Sequence, residues 1–299
     1  MKNITSYRTV RDLVRYGHTL FEQSGIALGQ GTQTNFDESC FIVLRTLSLP
    51  LDSLEIYLDT NLSEDEINEV IENIKKRAHD RIPAAYILKE SWLRDYKFHV
   101  DENVLIPRSH IADILFDQID VWVPDPENVS RVLDLCTGSG CLAILAAHQF
   151  TNATVTASDI SESCLNVSKI NIERYELKNT IDTIQSNLFD QISETFDVII
   201  SNPPYVDQTT MNALPTEFQK EPQIELSGGN DGIDLIIKIL QNAAKHLTNE
   251  GILILEIGRD RKALEAYFPN MSFTWIETQA GQDFVFFLTR EELLRGLDN

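Results

Sequence analysis

No run of about eighteen apolar residues, the length that spans a bilayer as a helix, occurs anywhere in the chain. The opening residues, Met1-Lys2-Asn3-Ile4-Thr5, also lack the basic flank and apolar stretch of a secretory signal. No membrane partner and a cytoplasmic location are therefore expected. Cysteine is scarce: of 299 residues only Cys40, Cys136, Cys141 and Cys164 are cysteines, and no two are spaced Cys-x-x-Cys. That pattern supports neither a disulfide framework nor a zinc site, so free thiols and no metal centre are expected. Basic residues are also short, with 25 Lys and Arg against 46 Asp and Glu for a net charge of -21. Residues 1–110 hold 13 Lys/Arg and 17 Asp/Glu, which leaves -17 on the remainder. Such a surface repels a phosphate backbone and attracts basic partners, so direct nucleic-acid readout is not expected. Acidity that only keeps the chain soluble is an equal reading of the charge alone.

What is present divides into two patterns. Val10, Leu13, Val14, Leu20 and Phe21 recur near helical period, as do Phe36, Cys40, Phe41, Val43, Leu44 and Leu47. A third helix is announced by Ser63 with Glu66, a capping box, before Ile67, Val70, Ile71 and Ile74. Residues 1–90 thus read as a small helical domain suited to substrate recognition. Two short extended runs, Tyr96–Val100 and Asn103–Ile106, suggest a hairpin within a linker at 91–110. From 111 to 299 the pattern alternates strands and helices. The strand candidates are 131–135, 153–158, 181–185, 196–200, 251–257, 273–277 and 283–289, and the best helical stripe is Ile233, Ile236, Ile237, Leu240 and Leu247. Alternation predicts a mostly parallel sheet with helices on both faces. Only Thr278–Gln282 separate the last two strands, too few for a crossover, so the last strand should be antiparallel. This α/β pattern is that of a class I, Rossmann-like methyltransferase sheet.

The first strand of that sheet runs into a glycine turn, Asp134-Leu135-Cys136-Thr137-Gly138-Ser139-Gly140. Glycines there permit positive φ and close approach of a ligand, although dinucleotide-binding and purely structural turns look alike. Asp159, ending the next strand nineteen residues after Gly140, can accept both hydroxyl hydrogens of a ribose. A pyrophosphate fits poorly beside Asp134, Asp159 and their acidic surroundings, whereas the sulfonium and ammonium of S-adenosylmethionine fit well. Asp134, Thr137, Gly138, Gly140, Asp159 and Asn187 are the candidate cofactor residues. For Asn187, an adenine contact competes with an ordinary turn asparagine.

The strand Phe196–Ile200 delivers Ser201-Asn202-Pro203-Pro204-Tyr205 to the carboxyl end of the sheet, where ligands of open parallel sheets bind. Two prolines remove two backbone donors and leave carbonyls that only accept. A planar NH2 is a poor nucleophile, because its lone pair is delocalised. The Asn202 side-chain oxygen and the Pro203 carbonyl can bind both its hydrogens and aim the nitrogen at a methyl group. Tyr205 would pack against the planar group, and Asn202 also borders the cofactor. Asn202, Pro203 and Tyr205 are the candidate catalytic residues; a rigid strand-ending loop is the competing structural reading. Glu256 is poised between a functional role and capping of the next helix. Arg108 could position substrate, but tying the hairpin to the catalytic domain is the better reading.

With Glu221-Pro222 and Gly228-Gly229-Asn230-Asp231-Gly232, these motifs resemble the HemK/PrmB-type protein glutamine methyltransferases over nearly the whole chain. The resemblance implies methyl transfer from S-adenosylmethionine to a glutamine side-chain amide in a protein. The release-factor branch carries Pro-Arg-Pro-Glu-Thr-Glu after the hairpin, whereas here Pro107-Arg108-Ser109-His110 stands. That segment, Asp134-Leu135-Cys136-Thr137, Ala213-Leu214-Pro215-Thr216-Glu217-Phe218 and Phe273-Thr274-Trp275 are similar to the branch that modifies large ribosomal subunit protein three. The implied partner is a basic ribosomal protein, which suits the -17. Release-factor glutamine methylation and methylation of nucleobase exocyclic amines are the alternatives, and a non-catalytic ribosome-binding protein is the rival from another class. Cys136 departs from the glycine usual at the start of such turns, and Asn187 from the usual acid.

Overall fold

Thr9 caps the helix Val10–Ser24 and Ser63 caps the helix Glu64–His79, each in a reciprocal box with the acid three residues on, Asp12 and Glu66. The helix Asn35–Thr46 lies between them in sequence. Leu13, Phe21, Ile42, Val43, Val70 and Ile74 of the three helices interlock in one core. Phe36, expected in that stripe, is instead 48% exposed, because the buried face of its helix begins only at Glu38. The computed structural model describes residues 7–258 and 261–298; Met1–Thr5, read above against a secretory signal, lie outside the described residues.

The hairpin is displaced from its expected place. Strands β1 (Ser91–Leu93) and β2 (Tyr96–Phe98) pair antiparallel, with Leu93 opposite Tyr96. Asn103–Ile106 is not a strand. The backbone amide of Asn103 donates to the Asp101 carboxylate at 2.9 Å and Val104 N bonds the Asp101 carbonyl, so the chain turns there. The apolar spacing of Val104 and Ile106 reflects burial of both in the main core rather than a ladder.

Seven strands form the central sheet: β3 (Arg131–Leu135), β4 (Thr154–Asp159), β5 (Ile181–Gln185), β6 (Phe196–Ser201), β7 (Leu247–Glu256), β8 (Thr274–Thr278) and β9 (Gly281–Thr289). Their order is β5-β4-β3-β6-β7-β9-β8, with β9 alone antiparallel to its neighbours, as expected. Alternate residues serve opposite faces: Val132, Val198, Ile200, Ile252 and Ile254 enter one core, and Leu133, Ile199, Leu253 and Leu255 the other. Leu247 is corrected from helix to strand. The helix Asp234–Ala243 stops first, and Leu247 pairs with Phe196 at the foot of β7, so its helical spacing from Leu240 is coincidental.

Polar bonds fasten the helical segment and linker to the sheet. Glu90 accepts Arg45 Nε at 2.6 Å and Trp92 Nε1 at 2.9 Å. On the opposite side of the linker, His99 N donates to Asn171 Oδ1 at 2.6 Å, while Asn171 Nδ2 donates to the carbonyls of His99 and Ser139. No helix among the described residues is long and apolar enough to cross a membrane. All four cysteines are free thiols.

Candidate active site

At the end of β3 the chain bends through three left-handed residues, Cys136 (φ 62°), Gly138 (φ 53°) and Gly140 (φ 80°). Gly140 has a second constraint, since a Cβ there would sit 2.7 Å from Ser168 Oγ. Cys136 has no glycine freedom, so the turn holds an L-residue in a region that disfavours it by about 1–2 kcal/mol. Asp134, fully buried, ties the turn together: its Oδ2 accepts Thr137 Oγ1 at 2.5 Å and Ala143 N at 2.9 Å. Burial pushes its acid up to about 7. Asp134 and the Thr137 hydroxyl are thus engaged with each other. Asp159 closes the turn from β4, accepting Gly138 N and Ser161 N, each at 2.9 Å.

Beyond the turn lies a cavity of about 320 Å³, lined by Cys136, Asp159, Ile160, Asn187, Leu188, Pro204 and Glu225 among others. Asn187 stands exposed at its rim, with its amide donating to Asp190 at 3.3 Å. A smaller cleft of about 40 Å³ shares Cys136, Pro204 and Glu225 with the cavity and reaches Arg108, Thr137, Gly138 and Asn202. The structure therefore brings the glycine turn, Asp159, Asn187 and Asn202 around two adjoining hollows.

The acceptor loop is braced from several sides. Ser201 Oγ donates to the Leu135 carbonyl at 2.6 Å, fixing the end of β6 to β3. Asn202 Nδ2 makes a long 3.5 Å bond to the Arg108 carbonyl, while neither Asn202 Oδ1 nor the Pro203 carbonyl accepts a hydrogen bond from the described residues. The Tyr205 ring lies over Gly258, where a Cβ would sit 2.9 Å from it, and does not line either hollow. Burial and the nearby Glu256 carboxylate keep its phenol protonated. Glu256 accepts Ser109 Oγ at 2.6 Å and His110 N at 2.8 Å, so it holds the start of the helix Ile111–Asp117. Burial raises its acid to about 7.

A strap, residues 206–232, crosses this loop. Val206 and Ser227 form a parallel bridge, and Gly228 N donates to the Val206 carbonyl at 2.9 Å. Any side chain at Gly228 would meet the Tyr205 backbone at 2.7 Å, which explains the glycine. Three glutamates of the strap have contacts that were not read from the sequence, where Glu217 and Glu221 entered only within the family motifs and Glu225 not at all. Glu221 receives Arg108 through two 2.5 Å bonds, so Arg108 ties the linker to the strap. Glu217 reaches into the helical domain, where its Oε1 accepts Ala27 N at 3.0 Å, Arg81 Nη1 at 3.0 Å and Arg77 Nη1 at 3.4 Å. Glu225 faces the cavity, with Cys164 Sγ donating to it at 3.3 Å. Their one sequence signal was three acids spaced by four around Glu221-Pro222, in a stretch without periodicity.

Residues 122–230 match the family model of the Methyltransferase small domain. The ribosomal protein uL3 glutamine methyltransferase of Neisseria gonorrhoeae is 46% identical over 286 residues, covering 96% of each chain. That of Burkholderia pseudomallei is 44% identical over 297 residues and covers 97% of each. The Francisella tularensis protein of the same name is 36% identical over 296 residues, covering 99% of this chain and 94% of its own. Among solved structures, the hMettl16 catalytic domain in complex with MAT2A 3'UTR hairpin 6 superposes with a TM-score of 0.50 at 15% identity, covering 76% of this chain and 81% of that one. The last likeness is one of fold alone.

Proposed function

The chain belongs to the family of ribosomal protein uL3 glutamine methyltransferases, and we propose that it methylates a glutamine side-chain amide of that ribosomal protein with S-adenosylmethionine as donor, in the cytoplasm. The observation that carries this reading is that the Asn202 cleft adjoins the cavity lined by Asp159 and Asn187, the two sharing Cys136, Pro204 and Glu225. A cavity of about 320 Å³ is within the range of small-molecule sites. The fit to a cationic cofactor rests on Asp159 and Glu225, two mostly buried carboxylates that face a cavity with no cationic side chain in its lining. Asp159 would hold the ribose, Asn187 the adenine edge, and the left-handed turn at Gly138 and Gly140 would let the cofactor lie against the backbone, with Asp134 and Thr137 supporting that turn.

S-adenosylmethionine supplies a methyl group on a sulfonium, an electrophile for the amide nitrogen. Asn202 Oδ1 and the Pro203 carbonyl accept the two amide hydrogens and orient the nitrogen. The Arg108 carbonyl takes the opposite end of the Asn202 amide, which leaves its oxygen for the substrate. Both acceptors gain strength as positive charge gathers on nitrogen, which is where their contribution to rate arises. Tyr205, seated on Gly258 and outside both hollows, serves to keep the loop in place rather than to pack on the amide. Residues 1–90 serve as the substrate-recognition domain and 111–299 as the catalytic domain, joined by the linker at 91–110. The Glu217 contacts support that division of labour, because they bind the strap beside the acceptor loop to the helical part.

Incubation with radiolabelled S-adenosylmethionine and separate samples of uL3, release factor and ribosomal RNA tests this reading. Label in uL3 alone is the expected outcome. Label only in release factor or RNA, or none, would overturn it.

A further inference from the structure

Glu225 is the one side chain that lines both hollows and had no part in the sequence expectations. It ends the short turn Gln223–Glu225 and lays its carboxylate against the glycine turn, with Oε2 3.1 Å from where a Cβ of Gly138 would be. Asp159 approaches from β4. One donor atom each from Asp159, Cys164 and Glu225 lies within 4.8 Å of the others. Both Asp159 oxygens already accept backbone N–H groups, and burial holds the Cys164 thiol protonated. A metal ion would need that thiol ionised, so the trio is poorly suited to one.

The groups around Glu225 come from every neighbouring element. Cys164 stands on the helix Glu162–Arg174, Asp159 ends β4 and Cys136 follows β3, while Asp134 lies behind the turn and Tyr86 on the helix Ala84–Leu88. None of these is a cation, and Arg108, which lines the smaller cleft, is already paired with Glu221. Two carboxylates within 4.8 Å of each other in a desolvated cleft resist ionising together when no unpaired cation is at hand, so the pair holds a proton. The physical consequence appears in their acidities: burial first, and Asp159 second, raise Glu225 to about 8, and burial raises Asp159 as well.

We propose that Glu225 is a cofactor-binding residue that shares a proton with Asp159 in the free enzyme and surrenders it when a cationic cofactor enters, so that S-adenosylmethionine binds in exchange for a proton. The exchange balances: protonated enzyme plus cationic cofactor gives the complex plus H⁺. After methyl transfer the sulfonium has become a thioether, and the pair has lost the charge that kept it ionised. The enzyme then takes a proton back and holds S-adenosylhomocysteine less tightly than S-adenosylmethionine. This inference rests on reading the cavity as the S-adenosylmethionine site.

Calorimetric titration of the full-length protein with each ligand, in buffers of different ionisation enthalpy, measures the proton count directly. With S-adenosylmethionine the wild type should release a large fraction of one proton near neutral pH, and affinity should rise with pH until it levels near 8. S-adenosylhomocysteine should release less; the amino group common to both ligands cancels in the difference. Glu225→Gln should abolish that difference and narrow the preference for the charged ligand by on the order of tenfold. Cys164→Ala should retain the proton release, which separates the carboxylates from the thiol as its source. Equal proton counts for the two ligands, or an unchanged ligand preference in Glu225→Gln, would overturn the proposal. Failure of the wild type to bind either ligand would instead refute the assignment of the cavity.

Discussion

Replacing Glu217 by alanine removes one carboxylate oxygen that three donors share, Ala27 N, Arg81 and Arg77. The Glu217 side chain is 3% exposed and that of Arg77 1%, so this bond network is shielded from water. Breaking a buried pair by deleting one partner destabilises by about 3–5 kcal/mol. The lower end applies, because Arg77 keeps Glu38 and the Ala27 carbonyl, and Arg81 is partly exposed. The expected loss is therefore about 3 kcal/mol for Glu217→Ala, and about 1 kcal/mol for Glu217→Gln, which keeps an acceptor for Ala27 N. Burial alone would raise the Glu217 acid, but the Ala27 amide and the two guanidiniums outweigh it and hold it below the ordinary 4.5. Its contribution is thus complete above pH 4.5 and disappears as pH falls through the depressed folded value. Urea unfolding at neutral and acid pH is the assay: the gap between wild type and Glu217→Ala should be largest near neutrality and shrink in acid. Turnover of uL3 should show a raised KM, with cofactor affinity unchanged. A difference below about 0.5 kcal/mol at neutral pH would refute the reasoning, since surface substitutions do no more than that.

Three further outcomes follow from the site. Asn202→Ala should slow methyl transfer about a hundredfold while cofactor affinity barely moves; near-normal single-turnover rates would remove Asn202 from the reaction. At Cys136, glycine relieves the left-handed strain and should leave stability equal or raised by up to about 1 kcal/mol, whereas valine should lower it by about 2 kcal/mol or more. Thermal melts that rank valine at or above glycine would contradict the turn geometry. Glu256 is more protonated in the folded chain than in the unfolded one between its ordinary 4.5 and about 7, so wild-type stability should fall as pH rises through that window. Asp134 acts in the same direction, and Glu256→Gln should flatten only part of the slope; a variant with the wild-type slope would show that Glu256 does not hold the proton.

The parts legible in the sequence were those built from neighbours along the chain. Ser63 and Glu66 meet within one helical turn, and β3 and β6 each bury alternate residues on two faces, so local spacing suffices to place them. The turn at Gly138 and the loop at Asn202 follow their strands directly, which is why the structure sets them around adjoining hollows. The first strand of the hairpin, Ser91–Leu93, escaped because three-residue strands carry no usable alternation and the Arg94-Asp95 turn contains no glycine, whereas the run from Tyr96 was foreseen. The contacts of Glu217, Glu221 and Glu225 escaped for a different reason. Their partners lie far away in sequence, as Ala27 is 190 residues from Glu217 and Arg108 is 113 from Glu221, and no periodicity encodes such meetings. Arg108 itself was legible as a tie, but its partner was not.

The length of the Glu217 connection also bears on how the protein is made. Arg77 leaves the ribosome 140 residues ahead of its partner, an interval of roughly 10 s at ordinary rates of synthesis. During that interval the three N-terminal helices can gather around their own core, yet Arg77 has only Glu38 for a carboxylate. Arrival of the strap completes the seal between the first-made and last-made portions of the active site. A nascent chain truncated before Glu217 would therefore present helices without a finished joint, and substrate handling would begin only once nearly three quarters of the polypeptide had emerged.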